Sequence, residues 1–269
     1  MGTKPHVRFV HLLLFVFFLN FLGAQMLHEG GHWAVLRIGG RDPVFGFTGL
    51  VQKWDKEPVT PDQWVMFTDP HGDRGWLRLG SLPDSRTEWV IFIAAGPLLQ
   101  LAAVILGLML NSLARRQTTR LFGLLLALIN SFGQLMYQVI APIRGSGGDE
   151  YLLAYHLGVP RAVISVFLAA AFAVGLVLAF HRLDGWRQRL IYGAALFIGI
   201  NLQGPLLMYA NQVVQDQIDA GNPFFQPVCG FSLPVLIAVL FTALALLAVA
   251  KAHGTRYRLG KGAGHEQSL

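Results

Sequence analysis

Gln25-Met26-Leu27-His28-Glu29-Gly30-Gly31-His32 closes a long apolar run that begins at Val10. The run reads as a membrane-spanning helix. The pattern H-E-x-x-H on a helix stacks two imidazoles at i and i+4 on one face. That spacing suits two ligands of one tetrahedral zinc ion. Glu29 projects about 100° away around the axis, where it reaches a metal-bound water without taking a coordination site. A carboxylate in that position is a general base, and zinc brings the pKa of such a water toward roughly 7. Intramembrane His and Glu are costly and default to functional readings. Gly30 and Gly31 each weaken a helix by about 1 kcal/mol relative to Ala, so the pattern implies a close approach to the backbone there. The bland alternative is a solvated helix end at the interface.

Working outward, 54% of the 269 residues are hydrophobic and only 13% are charged, with mean hydropathy +0.49. A soluble domain carries about 25% charged residues, so a polytopic membrane protein is expected. The net charge of +6 and pI of about 9.8 do not point to nucleic acid. The basic residues are dispersed at the ends of apolar segments, as the positive-inside rule dictates. Cys229 is the single cysteine, which excludes an intrachain disulfide and a cysteine-based zinc site. The first apolar segment lacks a small-residue cleavage site of the signal-peptide kind and is read as a retained helix.

The expected fold is all-α, with about six transmembrane helices at 9–36, 89–113, 120–142, 161–181, 188–211 and 232–251. Ser85-Arg86-Thr87-Glu88 reads as a capping box opening the second span, with Trp89 as an interfacial anchor. Arg115, Arg116, Arg120, Arg182, Arg187, Arg189, Lys251, Arg256, Arg258 and Lys261 then fall with Lys4 and Arg8 on one side. That side should be cytoplasmic, with both termini on it, in a plasma membrane. The opposite side holds 37–88, 143–160 and an acidic loop with Asp216 and Asp219. Residues 37–88 form a small β-rich segment. Strands are expected at Val44–Thr48 and Val51–Trp54, and a hairpin from Trp64–Thr68 and Gly75–Leu79 around Asp69–Asp73. Three units follow: a core over 1–158, additional helices over 159–251, and a flexible tail over 252–269. Ala95–Leu99 and Gln203–Leu207 share a Gly-Pro-Leu-Leu pattern, too short to establish a repeat.

A catalytic zinc needs a third protein ligand. Asp149 is the best candidate, since the third span ends on the side where His32 lies. The Gly-rich run from Arg144 to Gly148 permits an irregular path, tolerated at membrane depth when it lines a cavity. Asp149 also reads as the N-cap of a short helix, Glu150 to Leu157, closed by Gly158. Glu150 is the spare carboxylate, and His156 reads as a helix-surface residue. Asn130, Gln134 and Gln138 form a polar stripe at i, i+4, i+8. They serve either as interhelical glue or, for Asn130 and Gln134, as donors to a substrate carbonyl or oxyanion. Asn20 and Gln25 suggest packing or a wet cavity.

With H-E-x-x-H on a membrane helix, Gly96-Pro97 inside a later span and Asp149 after a third, the chain resembles the site-2 protease family of intramembrane zinc metallopeptidases. The resemblance covers approximately residues 9–37, 89–113 and 120–157. It implies His28, His32 and Asp149 as zinc ligands and Glu29 as the catalytic glutamate. Gln100 stands where the family commonly has Asn, and Glu150 where it has Gly. Pro142 is further from Asp149 than usual. The resemblance implies hydrolysis of peptide bonds in or near transmembrane segments of a membrane-protein or peptide substrate. A substrate helix must unwind first, and the small sheet could accept the unwound segment as an added strand. Two other readings stand beside this one. The first is a catalytically inactive family member acting as a binding or regulatory protein with a membrane partner. The second is a transporter.

Overall fold

The computed structural model describes residues 5–54, 56–70, 72–143 and 148–262, with side chains over 9–249 of these. The chain is mostly helical with small antiparallel sheets. Its first helical rod is α1 (Pro5–Asn20), a π-helical turn (Phe21–Gln25) and α2 (Met26–Ile38). The other long helices are α3 (Arg86–Leu113), α4 (Gln117–Ile143), α6 (Arg161–His181), α7 (Gly185–Asp219) and α8 (Leu233–Gly262), with a short α5 (Asp149–Leu157) after α4. Among the described residues, five helices are long and apolar enough to cross a membrane: Phe9–Ile38, Arg86–Leu113, Gln117–Ile143, Arg161–His181 and Gly185–Asp219. The sixth expected span is the shorter apolar stretch Leu233–Val249 of α8. That helix continues to Gly262, into the segment expected as a tail, while 263–269 lie outside the described residues.

α4 is the central helix, packed against α3, α6 and α1. Leu125, Leu128 and Ile129 on it meet Val16 and Leu19 of α1, Val104 of α3, Phe172 of α6 and Leu196 of α7 in one apolar core. Close approach through small residues favours packing between apolar helices of this kind. Gly107 and Gly123 supply it between α3 and α4. A Cβ on Gly107 would stand 2.6 Å from the Gly123 carbonyl oxygen. The turn below is sealed by Asn111 Nδ2 donating to the Arg120 carbonyl at 3.0 Å and Arg120 Nε donating to the Asn111 carbonyl at 2.9 Å.

α3 starts as its sequence dictates, though only half of the capping box forms. Ser85 Oγ accepts from Glu88 N at 3.1 Å. The Glu88 carboxylate turns to Asp84 N at 2.7 Å and to Arg41 at 3.1–3.2 Å. The expected hairpin is present. β2 (Trp64–Thr68) pairs with β3 (Arg74–Arg78), and β1 (Gln52–Trp54) completes the order β1-β3-β2. Gly75 admits the Trp54 and Phe67 rings over its Cα; the rings sit edge to face at 4.9 Å.

The expectation of a strand at Val44–Thr48 is corrected. That segment is a loop, with isolated bridges from Phe45 to Leu50 and to Phe231. The reason is a competing acceptor: Asn211 Oδ1 on α7 takes the backbone N–H of Phe47 at 2.7 Å and of Thr48 at 3.4 Å. Phe45 N reaches Gly230 O at 2.8 Å, beside a two-stranded hairpin of β4 (Pro227–Val228) and β5 (Phe231–Ser232). Asp216 and Asp219 lie in the last turns of α7 rather than in a loop. Buried Asp219 pairs with Lys53 of β1 and accepts from Val59 N at 2.8 Å. The small sheet is thereby bolted to α7.

Gly107→Leu should place a side chain where the Gly123 backbone stands. Overpacking of this kind costs about 1–3 kcal/mol. The expected result is a lower thermal midpoint in detergent than for Gly204→Leu, a glycine with nothing within 4 Å of its Cβ position.

Candidate metal centre

The π-helical turn sets up the site. It inserts an extra residue just before the histidine motif, and such turns free backbone carbonyls for other partners. Gly23 O accepts from Asn130 Nδ2 at 2.7 Å, and Ala24 O from Gln100 Nε2 at 3.5 Å. α2 then runs close along α3: a Cβ on Gly31 would sit 2.6 Å from Ala95 O. This is the close approach that the paired glycines imply.

Against this face α3 presents Phe92, Gly96 and Gln100 at i, i+4, i+8. Each does something different. The Phe92 carbonyl accepts from His32 Nδ1 at 2.7 Å. Gln100 Oε1 meets His28 Nδ1 at 2.8 Å. Gly96 leaves the space between them empty, and a Cβ there would collide with His32 Nε2 and crowd His28 Cε1 at 2.8 Å. With both Nδ1 atoms donating to oxygen, both Nε2 atoms carry lone pairs, because the partner of one ring nitrogen fixes the role of the other.

Those lone pairs point at each other and at a carboxylate. His28 Nε2 and His32 Nε2 are 3.1 Å apart. Asp149 Oδ2 lies 2.9 Å from the first and 3.4 Å from the second. The three donor atoms form a group that could hold a metal ion. Three electron-rich atoms at such distances repel unless a shared cation or proton sits among them. Two imidazole nitrogens and one carboxylate oxygen are a donor set that zinc accepts, with a fourth position left for solvent or substrate. Burial alone would raise the Asp149 carboxyl; when the facing imidazoles of His32 and His28 carry a proton, their charge outweighs burial and holds it well below the usual carboxylate range.

Each candidate residue named from the sequence has a definite place. Asp149 opens α5, but the residue flanking the helix start is Gly148, with no side-chain cap. Asp149 therefore faces the histidines rather than capping its own helix. Glu150, the spare carboxylate, turns away to Arg161 on α6. Glu29 is buried beside the pair and accepts from Gln25 Nε2 at 2.8 Å. A Cβ on Gly49 would lie 4.0 Å from Glu29 Oε2, so the 46–50 loop closes over that carboxylate. Both amide hydrogens of Asn130 are engaged, by Gly23 O and by Leu126 O at 2.9 Å. Gln134 donates to Gln100 Oε1, and Gln138 donates to Gln134 Oε1 at 3.4 Å. The stripe thus braces the π-helical turn and, through Gln100 of α3, the partner of His28; Asn130 has no amide hydrogen left for an oxyanion. His156 stacks on Trp89 at 5.2 Å, outside the group. Asn20 donates to Gln203 of α7 at 2.5 Å. Arg144 to Gly147, expected to form an irregular path, lie outside the described residues.

Sequence reasoning does not reach the bond from Gln25 to Glu29, the part played by Phe92, or the side that Gly96 faces. A signal for Gly96 and Gln100 exists, since they are one helical turn apart and face one way. None exists for Phe92, which acts through its backbone.

Neither a family model, nor a curated protein, nor a solved structure matches the chain. The case for function therefore rests on the geometry and on the motif.

Gly96→Ala drives a methyl group into the imidazoles, while Gly204→Ala, in the similar Gly-Pro element of α7, meets nothing. The expected outcome is reduced cobalt(II) or zinc content in the first variant and unchanged content in the second, read by elemental analysis of purified protein.

Proposed function

We propose that this chain is an intramembrane zinc endopeptidase that hydrolyses peptide bonds in or near transmembrane segments of membrane proteins. The observation that carries the reading is the convergence of His28 Nε2, His32 Nε2 and Asp149 Oδ2 with a buried carboxylate, Glu29, next in sequence to one of them. His28, His32 and Asp149 would hold the ion. A bound zinc supplies a Lewis acid for the scissile carbonyl and acidifies water.

The chain's own residues do the rest. Glu29 is off the ligand face of α2, with Gln25 holding one carboxylate oxygen. Its other oxygen, Oε2, takes the proton of the attacking water and returns it to the leaving amide nitrogen. Gln100 and the Phe92 carbonyl keep both imidazoles in one tautomer. Substrate enters as extended chain, since a helix hides its carbonyls in its own hydrogen bonds. β1 and β2 are the edges of the small sheet, and a strand can add to such an edge.

Three departures from the family pattern, Gln100, Glu150 and the spacing of Pro142 from Asp149, favour a catalytically inactive binding protein on sequence alone. Two of them are accommodated: Gln100 still reaches His28 Nδ1, and Glu150 is paired with Arg161. The peptidase reading is the better supported.

Glu29→Gln should keep metal content near wild type and lose cleavage of a membrane-embedded substrate. His28→Ala and His32→Ala should each lose zinc, and Asp149→Ala most of it. Undiminished cleavage by Glu29→Gln would falsify the mechanism.

The orientation belongs to the same proposal. Loop 39–51, α5 and the β4–β5 hairpin share one side, supported by the Phe45–Gly230 bond and the Lys53–Asp219 pair. The Arg clusters at 115–120 and 182–189 fall on the other, which the positive-inside rule makes cytoplasmic. In this reading six spans lie in the plasma membrane, with both termini inside. Cys229 is exposed and should react with an impermeant thiol reagent on intact cells, while a reporter after Leu269 stays protected from external protease. Labelling of Cys229 only after permeabilisation inverts the topology.

A further inference from the structure

Asp149 must present one oxygen to two histidines on another helix, yet its own helix is poorly equipped to hold it there. α5 has nine residues, short enough to be marginal on its own. Its first turn has no side-chain cap. What fixes α5 lies one residue further on.

Glu150 is fully buried, at 0% exposure, beside a ligand that is not. Successive helix residues diverge by about 100°, so Asp149 faces α2 while Glu150 faces α6. There Glu150 Oε1 accepts from Arg161, near the start of α6. The Arg161 guanidinium also lies over the Tyr151 ring, 5.5 Å from its centroid. On the other flank, the Tyr137 hydroxyl of α4 fills the space where a Cβ on Gly148 would stand. The start of α5 is thus gripped from α6 and α4. Glu150 is also the carboxylate next in sequence to Asp149. Paired with Arg161, it is kept away from the histidines.

We propose that Arg161 is a positioning residue for the metal centre, acting through Glu150 to fix Asp149 as the third ligand. The inference rests on the metal-site reading above. It extends the functional unit beyond the three-helix core to α6, which supplies no ligand.

The test is cobalt(II) binding to the purified full-length protein in detergent, followed by visible absorption, with thermal unfolding of the metal-free protein alongside. Arg161→Ala should weaken cobalt affinity by about 10–100-fold, the usual scale for groups that orient ligands, and shift the visible bands as ligand geometry changes. Arg161→Lys, which keeps a cation for Glu150, should recover most of the affinity. Lys53→Ala removes the other buried acid partner's cation, the one facing Asp219. It should lower the unfolding midpoint and leave cobalt affinity and spectrum unchanged. If Arg161→Ala does not fold, Glu150→Gln decides: it keeps the volume, leaves Arg161 without its counter-charge, and should weaken cobalt. Wild-type affinity and spectrum in Arg161→Ala or in Glu150→Gln overturn the inference. So does an equal loss of affinity in Lys53→Ala, which would mark the effect as general destabilisation. A wild type that takes up neither cobalt nor zinc overturns the peptidase reading and this inference together; a binding wild type with indifferent variants overturns the inference alone.

Discussion

Three electron-rich atoms meeting within 3.4 Å of one another are the constraint around which this chain is organised. An imidazole lone pair or a carboxylate is costly in a low-dielectric interior unless something positive or hydrogen-bonding faces it. Much of the buried polar inventory answers that demand. Gln100 and the Phe92 carbonyl take the outer ring nitrogens, Gln25 takes one oxygen of Glu29, and Gln134 holds Gln100 in turn. The neighbouring Glu150 carries its own counter-ion in Arg161.

The same demand explains the backbone. A regular helix from Pro5 to Ile38 would use its carbonyls internally. Within the π-helical turn at Phe21–Gln25, the carbonyls of Gly23 and Ala24 accept from amide side chains of α4 and α3. Small residues then let the helices close: Gly31 against Ala95, Gly96 against the imidazoles, and Gly107 against Gly123. The apolar core of α1, α3, α4, α6 and α7 supplies a rigid frame, but the polar contacts set which faces meet.

Legibility in the sequence follows the range of the interaction. His28, Glu29 and His32 lie within one turn of one helix, so their juxtaposition can be read without a fold. Asp149 requires the assumption that the third span returns to the same side, and it does stand against both histidines. The hairpin at 64–78 is legible because alternation and a turn signal are local. Val44–Thr48 misleads for the opposite reason. Its alternation is strand-like, yet its backbone donors are taken by Asn211, more than 160 residues away. The Glu150–Arg161 pair and the Phe92 carbonyl are equally hidden: one joins two helices around a turn, and the other involves no side chain of Phe92 at all.

α7 spans 35 residues, which at 1.5 Å per residue is roughly 50 Å, against a hydrocarbon thickness of about 30 Å. If α7 crosses a bilayer as proposed, a substantial part of it stands as a mast above or below the lipid. The mast end is where Asp219 takes Lys53 and the backbone of Val59. In that reading, the height at which the β-sheet rides over the bilayer is set by the length and tilt of a helix that contributes no ligand to the metal group. Loops could stretch under load; a helix fastened through a buried ion pair behaves as a rigid spacer.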